Sequence, residues 1–449
     1  MSTDLTPDLC IIGAGPAGRA AALGAVALGA SVVLVTQPGA APEDTGFVLR
    51  ALVAHTAAPF AEARAATLAA LAAMQPNHAM IRFTAAGMRV IEAGGRFADR
   101  GTFSAGNDRI RARRFLIASG ATAPIPALDG LAGLPVLTPD SMLRLDAPPA
   151  RLIVIGGDAE ALAFAQVFRR FGSEVVLAAE HGLLPDEEPE LAAVLRRALV
   201  ADGVTIEDGA RLTGAAAKYD GLTATLARDG DARHIDASHL LFTGPGRPFT
   251  DGLDLAAAGV AEEAAGIACD ATMRTTNAKI FAIGPVAGPA GGGEGDIGLL
   301  LRNMLFRGRA RRNPNETARI ALTQPEFAAI GLTERQARAQ GARIEVLRWP
   351  FSETPRAVAE GQTAGMVKLI LDRKGLIVGA GMAGPQASEL LAPFALALRQ
   401  GLPAAAFAGA FTGVPTHAAA GTSAAALHLL QRARSPWTGL ALKFNRWLG

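Results

Sequence analysis

Cysteine is nearly missing from this chain: among 449 residues only Cys10 and Cys269 carry a thiol, and neither has a CxxC or CxxxxC neighbour. A working thiol pair would therefore require the fold to join two distant residues. Cys10 also falls inside an apolar strand pattern, LCII, and reads as a small buried side chain. Lysine is scarce too, with Lys218, Lys279, Lys368, Lys374 and Lys443 set against many arginines, which we read as coding bias. An excess of one charge is lacking: the formal charge is +2, so there is no electrostatic case for nucleic acid. No uninterrupted apolar run reaches the roughly 18 residues of a spanning helix. Met1 to Asp8 has no basic stretch followed by a long apolar one, so no secretory signal is read there and a cytoplasmic place is expected.

What remains is a globular composition, 50% hydrophobic and 19% charged. At 46.0 kDa the chain exceeds the size at which one core keeps growing, so two to four domains are expected.

Asp8 to Gln37 reads strand, tight turn, helix, strand, with GAGPAG at the turn. Gly13 permits the turn, Gly15 lets backbone approach a pyrophosphate, and Gly18 allows helix to pack on strand. Pro16 and Ala17 open the helix, whose first amides face the anion. The expected ligand is an adenine dinucleotide. An acidic residue should end the second strand and bind the ribose, but Thr36 and Gln37 stand there; a hydroxyl or amide can take that role more weakly.

Arg151 to Glu180 repeats the same order of elements. Its turn reads GGDAEA, with Asp158 where backbone should make way for phosphate and Ala161 replacing the packing glycine. Asp158 and Glu160 suit a helix start and repel a pyrophosphate, so helix capping is expected and NAD(P)H binding is doubtful.

Five ordered segments then carry a family likeness: FLIASGATAPIPALDG (115–130), RRFGSEVVLAAEHGLLPDEEPE (169–190), LLFTGPGRPFTDGLDLAAAGV (240–260), ALTQPEFAAIGLTERQA (321–337) and GMVKLILDRKGLIVGAGMAGPQASELL (365–391). Through them the chain resembles the pyridine nucleotide–disulfide oxidoreductases, especially the dihydrolipoamide dehydrogenase and mercuric reductase branch, from about Asp8 to about Thr422. The resemblance implies an α/β fold with two Rossmann-like domains, binding FAD and NAD(P), and a C-terminal α+β dimerisation domain. Its expected boundaries are 1–148 and 269–318 for the FAD side, 149–268 for the inserted domain and 319–449 for the dimerising domain. Independently, VKLILD, the turn DRKG and LIVGAG read as an antiparallel hairpin feeding a helix from about Pro385.

The chemistry departs from that pattern. The family's GGTCxxxGCxPSK is met only by GFVLRALV, within PEDTGFVLRALVAH, with Phe47 in place of the flavin-facing cysteine. Phenylalanine forms no thiolate or mixed disulfide but can pack against a flavin ring. The lysine that follows is replaced by Arg50 or lost, and its glutamate partner falls on Ala163. In the dimer partner's His-Pro-Thr-x-x-Glu, Val414 replaces the histidine and Ala419 the glutamate. His417, one helical turn on, reads as an interface histidine because no carboxylate is visible to fix its tautomer. The apolar strand that should end in Gly-Asp ends in Gly284 and Pro285, and proline offers the ribitol neither carboxylate nor amide proton. Glu294 or Asp296 could fold back to replace it, or Asp296 could cap the following helix. The likeness adds Ser119 and Gly120 to the expected flavin-side residues.

The arginine-rich RNMLFRGRARRNPN (302–315) reads as a solvated helix and loop, and residues 61–74 as the family's long helix beside the flavin. Beyond the likeness, Trp437, Leu440, Phe444 and Trp447 share helical spacing in a tail that packs on its own dimer, a protein partner or a membrane surface. Three readings stay open. One is a homodimeric FAD protein without disulfide exchange, acting by direct flavin electron transfer or merely holding the flavin. The others are a cofactor-poor structural or assembly subunit and an NAD(P)H-dependent reductase with an atypical acceptor. No catalytic residue and no metal site is assigned.

Overall fold

The computed structural model describes residues 3–37, 45–121, 125–128, 130–244, 246–410, 413, 415–433 and 446. The chain divides into two compact units, the first made of 1–155, 213–225 and 234–314, the second of 156–212, 226–233 and 315–449.

The first unit is built on a five-stranded parallel sheet in the order Ile280–Ala282, Arg114–Ile117, Leu9–Ile12, Val32–Thr36, Arg89–Glu92. Apart from the edge strand Arg89–Glu92, its strands are largely apolar on both faces, as a sheet covered on both sides demands. Cys10, Ile12, Val33, Val35, Phe115 and Ile117 join one core with Phe97 and Phe103 of a smaller sheet. Leu9, Ile11, Val32, Leu34 and Leu116 face the other way, into a core shared with the helices Pro16–Ala27 and Ile297–Phe306. Residues 61–74 lie within the helix Phe60–His78, as expected. Arg151–Ile155, the first strand of the second nucleotide unit, also belongs here, parallel to His239–Phe242.

The second unit continues that repeat with the helix Ala159–Arg170, the strand Glu174–Ala179, the helix Pro189–Asp202 and the strand Thr205–Asp208, the two strands parallel. It also holds an antiparallel sheet in the order Arg319–Ala321, Glu326–Gly331, Ile377–Gly384, Met366–Leu371, Glu345–Pro350. The expected hairpin is its centre, and its helix begins at Ala387. Ala392–Gln400 and Ala419–Ala433 add helices to this domain, whose core takes in Phe394, Ala397, Ala420 and Ala424. The helix Pro189–Asp202 packs on the sheet, where a Cβ at Gly381 would stand 2.9 Å from Leu191 Cδ1.

Candidate functional site

Register fixes where the first nucleotide loops emerge. Ile12 pairs with Val35 and with Ile117, and Ile117 pairs with Ala282, so the segments that follow these residues leave the same, carboxyl end of the parallel sheet. That end gathers Gly13 to Gly18, Thr36, Gln37, Ser119, Gly120, Gly284 and Pro285.

Two of the glycines are dictated by close approach. Gly13 has φ +113°, and a Cβ there would stand 2.3 Å from Ala118 O; a Cβ on Gly18 would stand 2.1 Å from Gly13 O. Gly15 differs. It occupies the N-cap of the helix with no side-chain cap, Pro16 follows at the helix start, and a Cβ on Gly15 would meet only Ala118 O, at 4.0 Å. An open N-cap over unsatisfied helix amides is the cradle a phosphate needs.

Around it, Ser119 Oγ donates to Phe249 O at 2.7 Å, and Gly120 turns the chain at φ +82°. Thr36 is buried, Gln37 is exposed, and the register partner of Thr36 is Glu92, an exposed carboxylate that sequence spacing had not offered. Phe47 sits half-buried on the helix Thr45–Ala54. Gly284, at φ +79°, donates to Gly291 O at 3.0 Å, and exposed Pro285 opens a short helical turn.

Asp296 does not cap the helix Ile297–Phe306 with its side chain. Its carboxylate turns back instead, accepting from Gly293 N at 3.1 Å and from Arg312 Nε at 3.1 Å. Asp296 closes a short turn, Glu294–Asp296, whose N-cap amide, that of Gly293, donates to its carboxylate. Arg312, expected in a solvated loop, is correspondingly buried. Glu294 remains exposed.

In the second nucleotide unit the corresponding N-cap is Asp158, and it is closed. Its Oδ1 accepts from Glu160 N and Ala161 N, each at 2.9 Å. These are the positions of Ala17 and Gly18 in the first repeat. Ala161 is fully buried. The turn is covered as well: Leu184 N donates to Gly157 O at 2.7 Å, and a Cβ on Gly157 would stand 2.1 Å from Gly182 O.

Both thiols are quiet. Burial pushes the Cys10 thiol far above its ordinary range. Burial, with the carboxylate of Asp270 adding to it, raises Cys269 to about 12. Cys269 packs against the same core that contains Cys10, and both are free thiols.

His417 has a carboxylate after all. Its Nε2 lies 2.9 Å from Glu360 Oε2, while its Nδ1 is buried without a hydrogen-bond partner among the described residues. The ring is 2% exposed, and Glu360 corrects its reading as a histidine lacking a carboxylate. Arg356, then His417, hold the Glu360 carboxyl below its ordinary value. Val414 and the tail residues Trp437, Leu440, Phe444 and Trp447 lie outside the described residues.

A charged cluster escaped the sequence reading. Lys368 Nζ lies 2.6 Å from Glu188 Oε2 and 2.8 Å from Glu334 Oε2, with Glu190 also in contact and Arg348 alongside. They line a cleft of about 510 Å³. The three carboxylates are close enough together to hold an ion, and the Lys368 ammonium lies among them. Hydrogen bonds from Lys368 and then Arg338 hold Glu334 at about 2.

Comparison with known proteins agrees with this architecture. The pyridine nucleotide-disulphide oxidoreductase family matches residues 7–315, and its dimerisation domain matches 317–425. The chain belongs to the pyridine nucleotide-disulphide oxidoreductase family. This family of FAD-dependent oxidoreductases includes a dihydrolipoyl dehydrogenase of Thermus scotoductus, 31% identical over 431 residues, 88% of this chain and 92% of that one. A mercuric reductase of Streptomyces lividans is 30% identical over 88% of this chain and 90% of its own length. The chain spans about half the length of a Bacillus cereus mercuric reductase, at 32% identity over 70% of this chain and 51% of that protein. Among solved structures, LpdA of Mycobacterium tuberculosis has a TM-score of 0.84 at 24% identity, covering 94% of this chain and 99% of that one. The flavoprotein disulfide reductase RclA of Escherichia coli has a TM-score of 0.82 at 23% identity, over 94% and 99%. The fold of two Rossmann-like units and a C-terminal α+β dimerisation domain is thus that of the family. No helix among the described residues is long and apolar enough to cross a membrane.

Proposed function

We propose that the chain binds FAD in its first nucleotide unit, does not use its second for NAD(P)H, and performs no dithiol–disulfide exchange. The contrast between the two helix starts carries this reading: Gly15 leaves an open N-cap, whereas Asp158 places its own carboxylate on the amides a pyrophosphate would need.

The residues that would hold FAD are Gly13, Gly15, Pro16, Ala17 and Gly18 at the pyrophosphate, Thr36 and Gln37 at the ribose, Phe47 against the ring, and Ser119, Gly120, Gly284, Pro285 and Asp296 around the rest. Glu92 beside Thr36 is the carboxylate we assign to the adenosine ribose in place of the missing acidic residue. Asp296, held by Arg312, is already engaged, so the ribitol meets Pro285 with one fewer charged hydrogen bond, an interaction worth roughly 1.5 to 3 kcal/mol. When bound, the flavin would supply two-electron transfer to an acceptor other than a disulfide. The chain's own part is to bind and orient it. The domains we assign are 1–148 with 269–318 for FAD, 149–268 for a degenerate nucleotide unit, and 319–449 for a homodimer interface.

The test is the visible spectrum and flavin dissociation constant of three purified proteins. The parent should carry about one flavin per chain. Gly15→Asp should lose it, since it recreates in the first unit the self-capping seen at Asp158, and Pro285→Asp should tighten it. A parent that neither retains nor takes up flavin favours a cofactor-free assembly subunit, the reading that the Pro285 replacement supports.

A further inference from the structure

The parallel sheet of the first unit has a second end, and it is basic. Arg113 and Arg114 stand at the amino end of the strand Arg114–Ile117, opposite the end from which the nucleotide loops leave. Arg113 Nη2 donates to Leu305 O at 2.9 Å, which ties this corner to the last turn of the helix Ile297–Phe306. Arg114 donates Nη1 to Arg113 O, while its Nε is buried with no hydrogen-bond partner among the described residues. The guanidinium groups of Arg113, Arg307 and Arg274 all bear on Arg114. Exposed Arg302, Arg307, Arg309 and Arg311 follow on the helix end and loop, with no side-chain hydrogen bond or ion pair among the described residues. The carboxylates paired at its border are themselves engaged: Asp8 by Ser31 and Arg113, Asp270 by Thr272 and Arg274.

A helix C-terminus favours a cation, which accounts for one arginine and not for a patch of them. The loop is also pinned. Asn303 donates to Ala310 O at 2.8 Å and accepts from Ala310 N at 3.0 Å, and Arg312 N donates to Ala271 O at 2.7 Å. At its edge Phe306 is 62% exposed, an apolar side chain set among like charges that repel one another. Holding these groups together costs stability unless something anionic meets them.

We propose that this face, formed by Arg113, Arg114, Arg302, Phe306, Arg307 and the loop to Arg311, docks an acidic protein surface carrying an apolar anchor. Arginine and aromatic side chains are the groups that dominate protein interfaces, and the lone Phe306 fits one anchor pocket. A nucleic acid would call for interleaved aromatics to stack on, and a membrane for an extended apolar face. Among its described residues this patch offers a single exposed aromatic, Phe306, and no extended apolar face.

The test uses the full chain and a fluorescein-labelled glutamate-rich peptide containing leucine, beside an oligothymidylate of matched charge and phosphatidylglycerol vesicles. The peptide should bind with an affinity that falls as salt rises. The combined variant R302E/R307G/R309E/R311E should weaken it at least about tenfold, and Phe306→Ser by less. Glycine is chosen at 307 because Arg307 holds φ +56°. Thermal midpoints matching the parent's, with exposed positions alone altered, separate lost docking from lost folding. No binding of the peptide, equal affinity in parent and variant, or tighter binding of the oligonucleotide or vesicles overturns the proposal.

Discussion

Lys368 and Glu188 form a buried ion pair, Nζ to Oε2 at 2.6 Å, that joins the segment before the helix Pro189–Asp202 to the strand Met366–Leu371. Removing only the Lys368 ammonium leaves Glu188 buried without its ion-pair partner beside Glu190 and Glu334, which keep Arg348. Lys368→Met should therefore cost about 3 to 5 kcal/mol of unfolding free energy, read by urea titration. Adding Glu188→Gln and Glu334→Gln should recover part of it.

The same cluster sets an acid limit. Glu334 titrates at about 2 in the folded chain, against 4.5 for an unperturbed glutamate. Its contribution is present above about 4.5 and lost as pH falls from there towards 2. The urea midpoint of the parent should drop across that window more steeply than that of Glu334→Gln.

Thiol reactivity gives a third expectation. With Cys269 raised to about 12 and Cys10 raised further by complete burial, the thiolate fraction at pH 8 is of the order of 10⁻⁴ or less. Iodoacetamide should label the native protein slowly and the urea-unfolded protein fast. Lipoamide, glutathione disulfide and mercuric ion should give no turnover, and the double variant C10S/C269S should behave as the parent does. Turnover that depends on either cysteine would place an active thiol where burial and spacing deny one.

Asp158→Gly should open the second helix start. A glycine N-cap costs only a few tenths of a kcal/mol, so folding should survive. NADH affinity, measured by calorimetry, should rise about tenfold or more if the carboxylate is the block. An unchanged affinity would assign the block to the Gly182 backbone over Gly157.

Glu92 is tested on its own. Glu92→Gln should weaken FAD binding about threefold to tenfold with no change in the thermal midpoint of the flavin-free protein, since the side chain is exposed. Unchanged affinity would leave the ribose to Thr36 and Gln37.

How legible each feature was follows from how far its cause extends along the chain. Gly13 and Gly18 are required by contacts within one strand–turn–helix, so their spacing suffices to read them, and Asp158 declares itself by standing at the same N-cap as Gly15. Asp296 could be read as a cap or as a replacement carboxylate but not with its actual partner, because Arg312 comes from a loop that folds back. His417 seemed to lack a carboxylate because Glu360 is 57 residues away. Lys368 draws its partners from two separated segments, Glu188 and Glu190 from one and Glu334 from the other, and no local pattern in a strand such as MVKLIL announces them. Glu92 was hidden for the same reason, being a neighbour of Thr36 only through strand register.

The cap at Asp158 also sets how the second unit would respond to concentration. A carboxylate fixed two and three residues from the amides it occupies is an intramolecular competitor, present at an effective concentration of millimolar or more whatever the dilution of the protein. A free dinucleotide would have to displace it and then lie beside the displaced charge. Raising NADH into the millimolar range would therefore not mimic Asp158→Gly, because the added ligand meets both the competitor and its repulsion, while the substitution removes them together.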